Sequence, residues 1–143
     1  MTRLPEGYEL VGEQARIDPA AAHAYLTRSY WARGIPYATV AKSIANSLCM
    51  AVFHCGEQVA FARVISDQAT FAYLADVYVL EGHRGRGLSH GLLAALDAHP
   101  ELQGLRRWAL FTLDAQALYR AHGWEQYPHP ERMMVRDDPA VYG

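Results

Sequence analysis

Arginine and glycine alternate in Arg84-Gly85-Arg86-Gly87, and Leu88 and Ser89 follow. The segment lies between a strand-like apolar run at 74–80 and a helix-like apolar run at 88–98. Glycine lets a backbone come close to a ligand. The first amides of a helix lack internal partners, and the helix dipole places partial positive charge on them. Two guanidinium groups add full positive charge. Such a turn is built to hold an anion, most often a phosphate.

Few other side chains have types and positions that offer chemistry. Asp76 lies inside the apolar run before the turn. A lone carboxylate there is costly unless it is partnered or faces a cleft. It reads either as a proton acceptor beside a ligand or as a structural carboxylate bonded to a neighbour such as Arg63. Asp114 reads as a helix N-cap. Cys49 and Cys55 have no partners at metal-ligand spacing, and Cys55 lacks the flanking features of an activated thiolate. The seven histidines are scattered, and His83 and His90 are too far apart for a one-turn metal pair, so no metal is expected.

Two common phosphate patterns fail at the glycine turn. Gly82 to Gly87 has the spacing of a P-loop and Ser89 is in place, but Leu88 stands where the lysine belongs. The dinucleotide pattern fits Gly85 and Gly87, yet Gly91 comes one residue late. The turn also follows hairpins rather than opening a βαβαβ series.

The elements that must position these groups can be placed along the chain. Residues 8–11 form a short strand. Asp18 and Pro19 open a helix to about residue 30, broken by Gly34-Ile35-Pro36, and a second helix covers about 38–47. Strands follow at 48–54, 58–66 and 70–80, with hairpin turns at Gly56-Glu57 and Asp67-Gln68-Ala69. The glycine turn opens a helix over 88–98, in which Leu88, Leu92 and Leu96 form a core stripe. A strand at 105–113 would lie parallel to the one before the turn. A helix at 115–122 and weak strands at 124–127 and 133–136 close the chain. The order β-α-α-β-β-β-α-β-α-β-β gives an α+β, mixed α/β fold whose sheet changes from antiparallel to parallel at its centre.

The chain of 143 residues is 51% hydrophobic and 20% charged with a formal net charge of -2. That is the profile of one globular domain, 1–143, rather than of a nucleic-acid binder or a membrane-surface binder. Two unpaired cysteines, no signal-like start and no apolar run of bilayer length make a cytoplasmic protein the expectation.

Three ordered segments carry a resemblance to the GNAT superfamily of N-acetyltransferases. The superfamily's signature is Arg or Gln, two residues, Gly, one residue, then Gly or Ala; it is met from Arg84 to Leu88, with Ser89 departing at the last position. An apolar V-x-V run precedes it as Val77-Tyr78-Val79. The later L-Y-x-x-x-G-W text appears as Leu118-Tyr119-Arg120-Ala121-His122-Gly123-Trp124. The resemblance covers roughly 8–136.

It implies acetyl-coenzyme A as co-substrate, with its pyrophosphate on Arg84, Gly85, Arg86, Gly87, Leu88 and Ser89. The pantetheine arm would fill a gap between splayed strands and pair with the backbone of Val77, Tyr78 and Val79. Tyr119, which would also touch the coenzyme, stands where many relatives place their general acid, although its ring could simply pack in the core. Asp76 is the candidate base. The resemblance places the acceptor site at the first two helices, their connection and nearby strand faces, here Tyr30, Trp31, Tyr37, Arg63 and Tyr73, with Phe53 beside them. If Asp76 faces that cleft a cationic acceptor is favoured, and if Arg63 does, an acidic one. The activity implied is acetyl transfer to a primary amine of a small molecule or peptide, in a protein that, like many relatives, would form a homodimer. A non-catalytic acyl-coenzyme A sensor or interaction module of the same fold is the alternative.

Overall fold

Helix starts, tight turns and one bulge shape the architecture seen in the computed structural model, which describes residues 3–143. After β1 (Tyr8–Val11), Asp18 accepts hydrogen bonds from the amides of Ala20 and Ala21 and opens α1 (Pro19–Leu26) with proline at its first turn. The helix ends earlier than the sequence indicated. Ser29 Oγ donates to Leu26 O, Ala32 N donates back to Ser29 Oγ, and Gly34 N reaches Thr27 O. These bonds fold 27–36 into a compact connection instead of a last helical turn. Pro36 then caps α2 (Tyr37–Ala45).

β2 (Leu48–His54) and β3 (Glu57–Ser66) form a hairpin whose two turn residues are Cys55 and Gly56, with φ of 52° and 78°. Two positive φ values make the tight turn that matches strand twist. The turn therefore sits one residue before the expected Gly56-Glu57, and Glu57 pairs with His54. Asp67 closes the next hairpin by accepting from the amides of Ala69, Thr70 and Phe71 and from the Thr70 hydroxyl. β4 (Phe71–Val79) follows, then α3 (Leu88–Asp97) as the crossover to β5 (Arg107–Ala109). The sheet order is β1-β2-β3-β4-β5, antiparallel as far as β4 and parallel between β4 and β5.

Apolar side chains pack on both faces of the sheet. On one, Leu88, Leu92 and Leu96 of α3 are sunk against Val52, Ala62, Val64 and Leu74. On the other, Leu26 of α1 with Val40 and Ile44 of α2 cover Ala51, Phe61 and Tyr78. Each large aliphatic side chain so buried contributes about 1.5–3 kcal/mol.

The last third differs from the sequence reading. β5 is three residues rather than the whole of 105–113. Asp114 does not cap the short helix α4 (Gln116–Arg120); Thr112 Oγ1 instead accepts from the Ala115 amide. The closing strands at 124–127 and 133–136 do not form. The sheet ends at β5, neither segment pairs with it, and Met133, Met134 and Val135 stay exposed. The turn after α4 is tied to α3 by a 2.7 Å hydrogen bond between His90 Nδ1 and His122 Nε2. Among the described residues, no helix is long and apolar enough to cross a membrane.

Candidate active site

β4 and β5 pair only at Phe71–Arg107, Ala72–Trp108 and Tyr73–Ala109. β4 continues six residues beyond, to Val79, without that neighbour. On its other edge the register slips: Phe61 opposes Tyr78 while Arg63 opposes Ala75, so Asp76 and Val77 both face Ala62. This is a β-bulge, and Asp76 takes φ of 57° to form it. Aspartate tolerates that left-handed backbone better than most residues. Bulge and splay open a cleft of about 930 Å³ that runs from the glycine turn past 73–79 to the α1–α2 connection and α4.

At one end, Gly85 and Gly87 both have φ of 77°, and Gly87 is the N-cap of α3. A Cβ at either would meet no protein atom within 4 Å. Glycine is therefore required by backbone conformation, and the space in front of these amides is free for an anion. Arg84, Gly85, Gly87, Leu88 and Ser89 line the cleft; Arg86 does not, and it points to solvent. The Arg84 side chain donates from Nε to Val79 O at 3.0 Å and from a terminal nitrogen to the Tyr25 hydroxyl at 3.2 Å.

At the floor, Arg63 Nε donates to Asp76 Oδ2 at 2.9 Å, and Trp31 Nε1 donates to Asp76 Oδ1 at 2.9 Å. Arg63 also donates to Ser47 Oγ. The Arg63 and Asp76 side chains are 14% and 11% exposed, so this ion pair is largely desolvated. Both oxygens of the carboxylate thus have donors before any ligand arrives. Of the two readings of Asp76, the partner it would need as a structural carboxylate, Arg63, is in place.

Tyr119 is buried on α4 yet lines the cleft. Burial raises its pKa above the ordinary tyrosine value, and nearby Tyr30 pushes in the same direction. No buried side-chain polar atom among the described residues lacks a partner, and the Tyr119 hydroxyl bonds to none of them, so it reaches the open cleft.

The expected acceptor residues divide. Tyr30, Trp31, Arg63 and Tyr73 line the cleft. Tyr37 does not; it packs edge-on against His23 at 5.7 Å on the helical face. Phe53 also lies away, beside Arg16. Lining residues that were not singled out from the sequence include Tyr25, Arg28, Phe111 and Tyr142. Tyr25 stacks on Tyr78 at 4.1 Å, and its place on the inner face of α1 is a periodicity signal that points as readily to core. Phe111 reads as strand interior until β5 stops short of it. Nothing in the sequence brings Tyr142 back to Gly34, where its carbonyl packs. Among the described residues no group of three or more His, Cys, Asp or Glu gathers to hold a metal ion.

The acetyltransferase (GNAT) domain model matches residues 45–126, more than half of the chain. This chain belongs to the GNAT acetyltransferase family. A solved GNAT-family protein from Xanthomonas campestris pv. campestris is 46% identical, with 98% of this chain and 99% of that one covered and a TM-score of 0.92. A protein of Gibberella zeae assigned as an acetyltransferase is 44% identical over 66 residues, which span 44% of this chain but only 36% of that protein. Glucosamine-6-phosphate N-acetyltransferase from Arabidopsis thaliana shares the fold, with a TM-score of 0.65 over 92% of this chain and 99% of that one, at 13% identity. For a GNAT protein the α+β mixed sheet and the glycine turn opening α3 are the expected features. Ser89, the one departure from the signature, faces the cleft without closing it.

Proposed function

We propose that this chain is an acetyl-coenzyme A-dependent N-acetyltransferase that passes acetyl directly to a primary amine of a small molecule or peptide. The observation that carries this reading is the single cleft joining three groups: the glycine turn, the bulged free edge of β4, and Tyr119. The amides at the start of α3 hold the pyrophosphate, and Arg84 adds charge to it. The free edge of β4 at Val77, Tyr78 and Val79 pairs with the pantetheine amides as a strand would. A backbone amide near Val77 faces the thioester carbonyl and stabilises the oxygen as negative charge develops on it.

The neutral amine attacks the thioester carbon, a C–N bond forms and the C–S bond breaks. The departing sulfur takes the Tyr119 proton, and the proton lost by the nitrogen leaves through cleft water and restores the phenol. Asp76 acts here as a positioning group that holds Trp31 and Arg63. The test is release of free thiol from acetyl-coenzyme A in the presence of a primary amine. Amine-dependent thiol release with an N-acetyl product supports the reading. Binding of acetyl-coenzyme A with no transfer to any amine in a broad panel would favour a non-catalytic coenzyme sensor.

A further inference from the structure

The acceptor end of the cleft has an unusual balance of charge and aromatic surface. Arg63 and Asp76 are the charged side chains at its floor, and they neutralise each other at 2.9 Å. Neither is free to select an acidic or a cationic acceptor. The other charged groups near the acceptor end offer little more. Arg28 is exposed and lies over the Tyr25 ring at 4.8 Å, the same tyrosine whose hydroxyl takes Arg84. Asp114 at the rim and Asp137, near enough to act on Tyr73, are both exposed, where solvent and salt screen them.

Aromatic surface is plentiful by contrast. Tyr30 and Trp31 stand edge to face at 5.1 Å on the α1–α2 side, and Tyr73 and Phe111 lie 6.0 Å apart on the strand side. Both pairs close on the same polar floor. Trp31 bonds Asp76, and Tyr73 is near enough to feel the charges of Asp76 and Arg63. Phe111, Tyr30 and Trp31 remain 64%, 61% and 41% exposed. Large rings left in water around a cleft mark a surface meant to be covered by a ligand.

We propose that the acceptor is a primary amine on an aromatic or apolar skeleton bearing no other charge, held between Tyr30–Trp31 and Tyr73–Phe111. This assignment rests on the acetyltransferase reading above. The rings supply packing area and place the amine over the neutralised floor. Phe111 is the specificity-determining residue that the expected acceptor set lacked. At the Arg63–Asp76 floor a second amine or a carboxylate on the acceptor finds no unpaired partner and loses its hydration without return.

The experiment begins with calorimetric binding of acetyl-coenzyme A, then compares kcat/KM for 2-phenylethylamine, spermidine and glutamate. The expected result is at least about a tenfold preference for 2-phenylethylamine. Phe111→Ala should raise its KM by about tenfold with kcat little changed, and the exposure of that ring keeps the fold out of the comparison. Asp76→Asn, tolerated in the left-handed backbone, leaves Arg63 uncompensated and should shift preference toward glutamate. If acetyl-coenzyme A binds but spermidine or glutamate is preferred, none of the three is acetylated, or Phe111→Ala leaves KM unmoved, the inference is overturned while the coenzyme reading stands. If acetyl-coenzyme A does not bind, both fall.

Discussion

The indole nitrogen of Trp31 donates to Asp76 Oδ1 at 2.9 Å across forty-five positions of sequence. That bond joins the connection between α1 and α2 to the bulge of β4. Arg63 holds the other carboxylate oxygen, so one wall and the floor of the cleft form a single unit.

Trp31→Phe keeps an aromatic ring but removes the donor. Stability should fall by about 1 kcal/mol, the usual worth of one hydrogen bond to a partly solvated group. KM for the amine should rise while acetyl-coenzyme A affinity holds, because the glycine turn is untouched. Asp76→Ala should cost more, about 3–5 kcal/mol, since it strands a largely desolvated guanidinium. Urea unfolding of both variants, paired with coenzyme titration, checks the order.

Tyr119→Phe removes the proposed acid and little else. The expected loss is about 100-fold or more in kcat, with acetyl-coenzyme A affinity and melting temperature nearly unchanged. Burial holds the phenol above its ordinary pKa, so it stays protonated at neutral pH. The alkaline limb of the wild-type kcat profile should therefore lie above pH 10 and be missing in the variant. A variant with full turnover across the pH range would remove Tyr119 from the mechanism.

The glycine turn was readable because its requirement is local: two residues must take φ of 77°, and only glycine does so at no cost. The Leu88, Leu92 and Leu96 stripe was readable for the same kind of reason, a period of helix turns. The floor was less so. Asp76 stood out as a carboxylate among apolar residues, but its φ of 57° belongs to the bulge, which depends on how β3 pairs with β4. Tyr37 and Phe111 exchanged roles because one helix start and one strand end decided which ring faces the cleft. Asp114 lost its capping place to Thr112 when α4 began later than its composition indicates. Strand propensity at 124–127 and 133–136 met no partner, because the sheet ends at β5, which is only three residues long.

The two thiols should separate cleanly. Burial pushes the Cys49 thiol up to about 12, whereas Cys55 is exposed on a turn. A thiol reagent at pH 8 should modify Cys55 quickly and Cys49 only on unfolding. The same shift sets a sign for stability. Cys49 ionises near 9.0 when unfolded and near 12 when folded, so its contribution is complete below pH 9 and is lost as pH rises toward 12. Buried Tyr78 and Tyr119, also raised, add to the loss at higher pH. Unfolding midpoints at pH 8 and 10.5 should differ in that direction, with on the order of 1–2 kcal/mol from Cys49.

The central claim is that the splayed cleft takes acetyl-coenzyme A through the turn that opens α3. Calorimetric titration of the wild type beside Gly87→Ala tests it most directly. Alanine at a φ of 77° meets no neighbour within 4 Å, so it costs about 1–2 kcal/mol of backbone strain without a clash. The expected result is one acetyl-coenzyme A per chain, with a dissociation constant on the order of micromolar to tens of micromolar. Gly87→Ala, still folded, should bind at least about tenfold more weakly. No heat from the wild type at millimolar acetyl-coenzyme A, or equal binding by the two proteins, would contradict it.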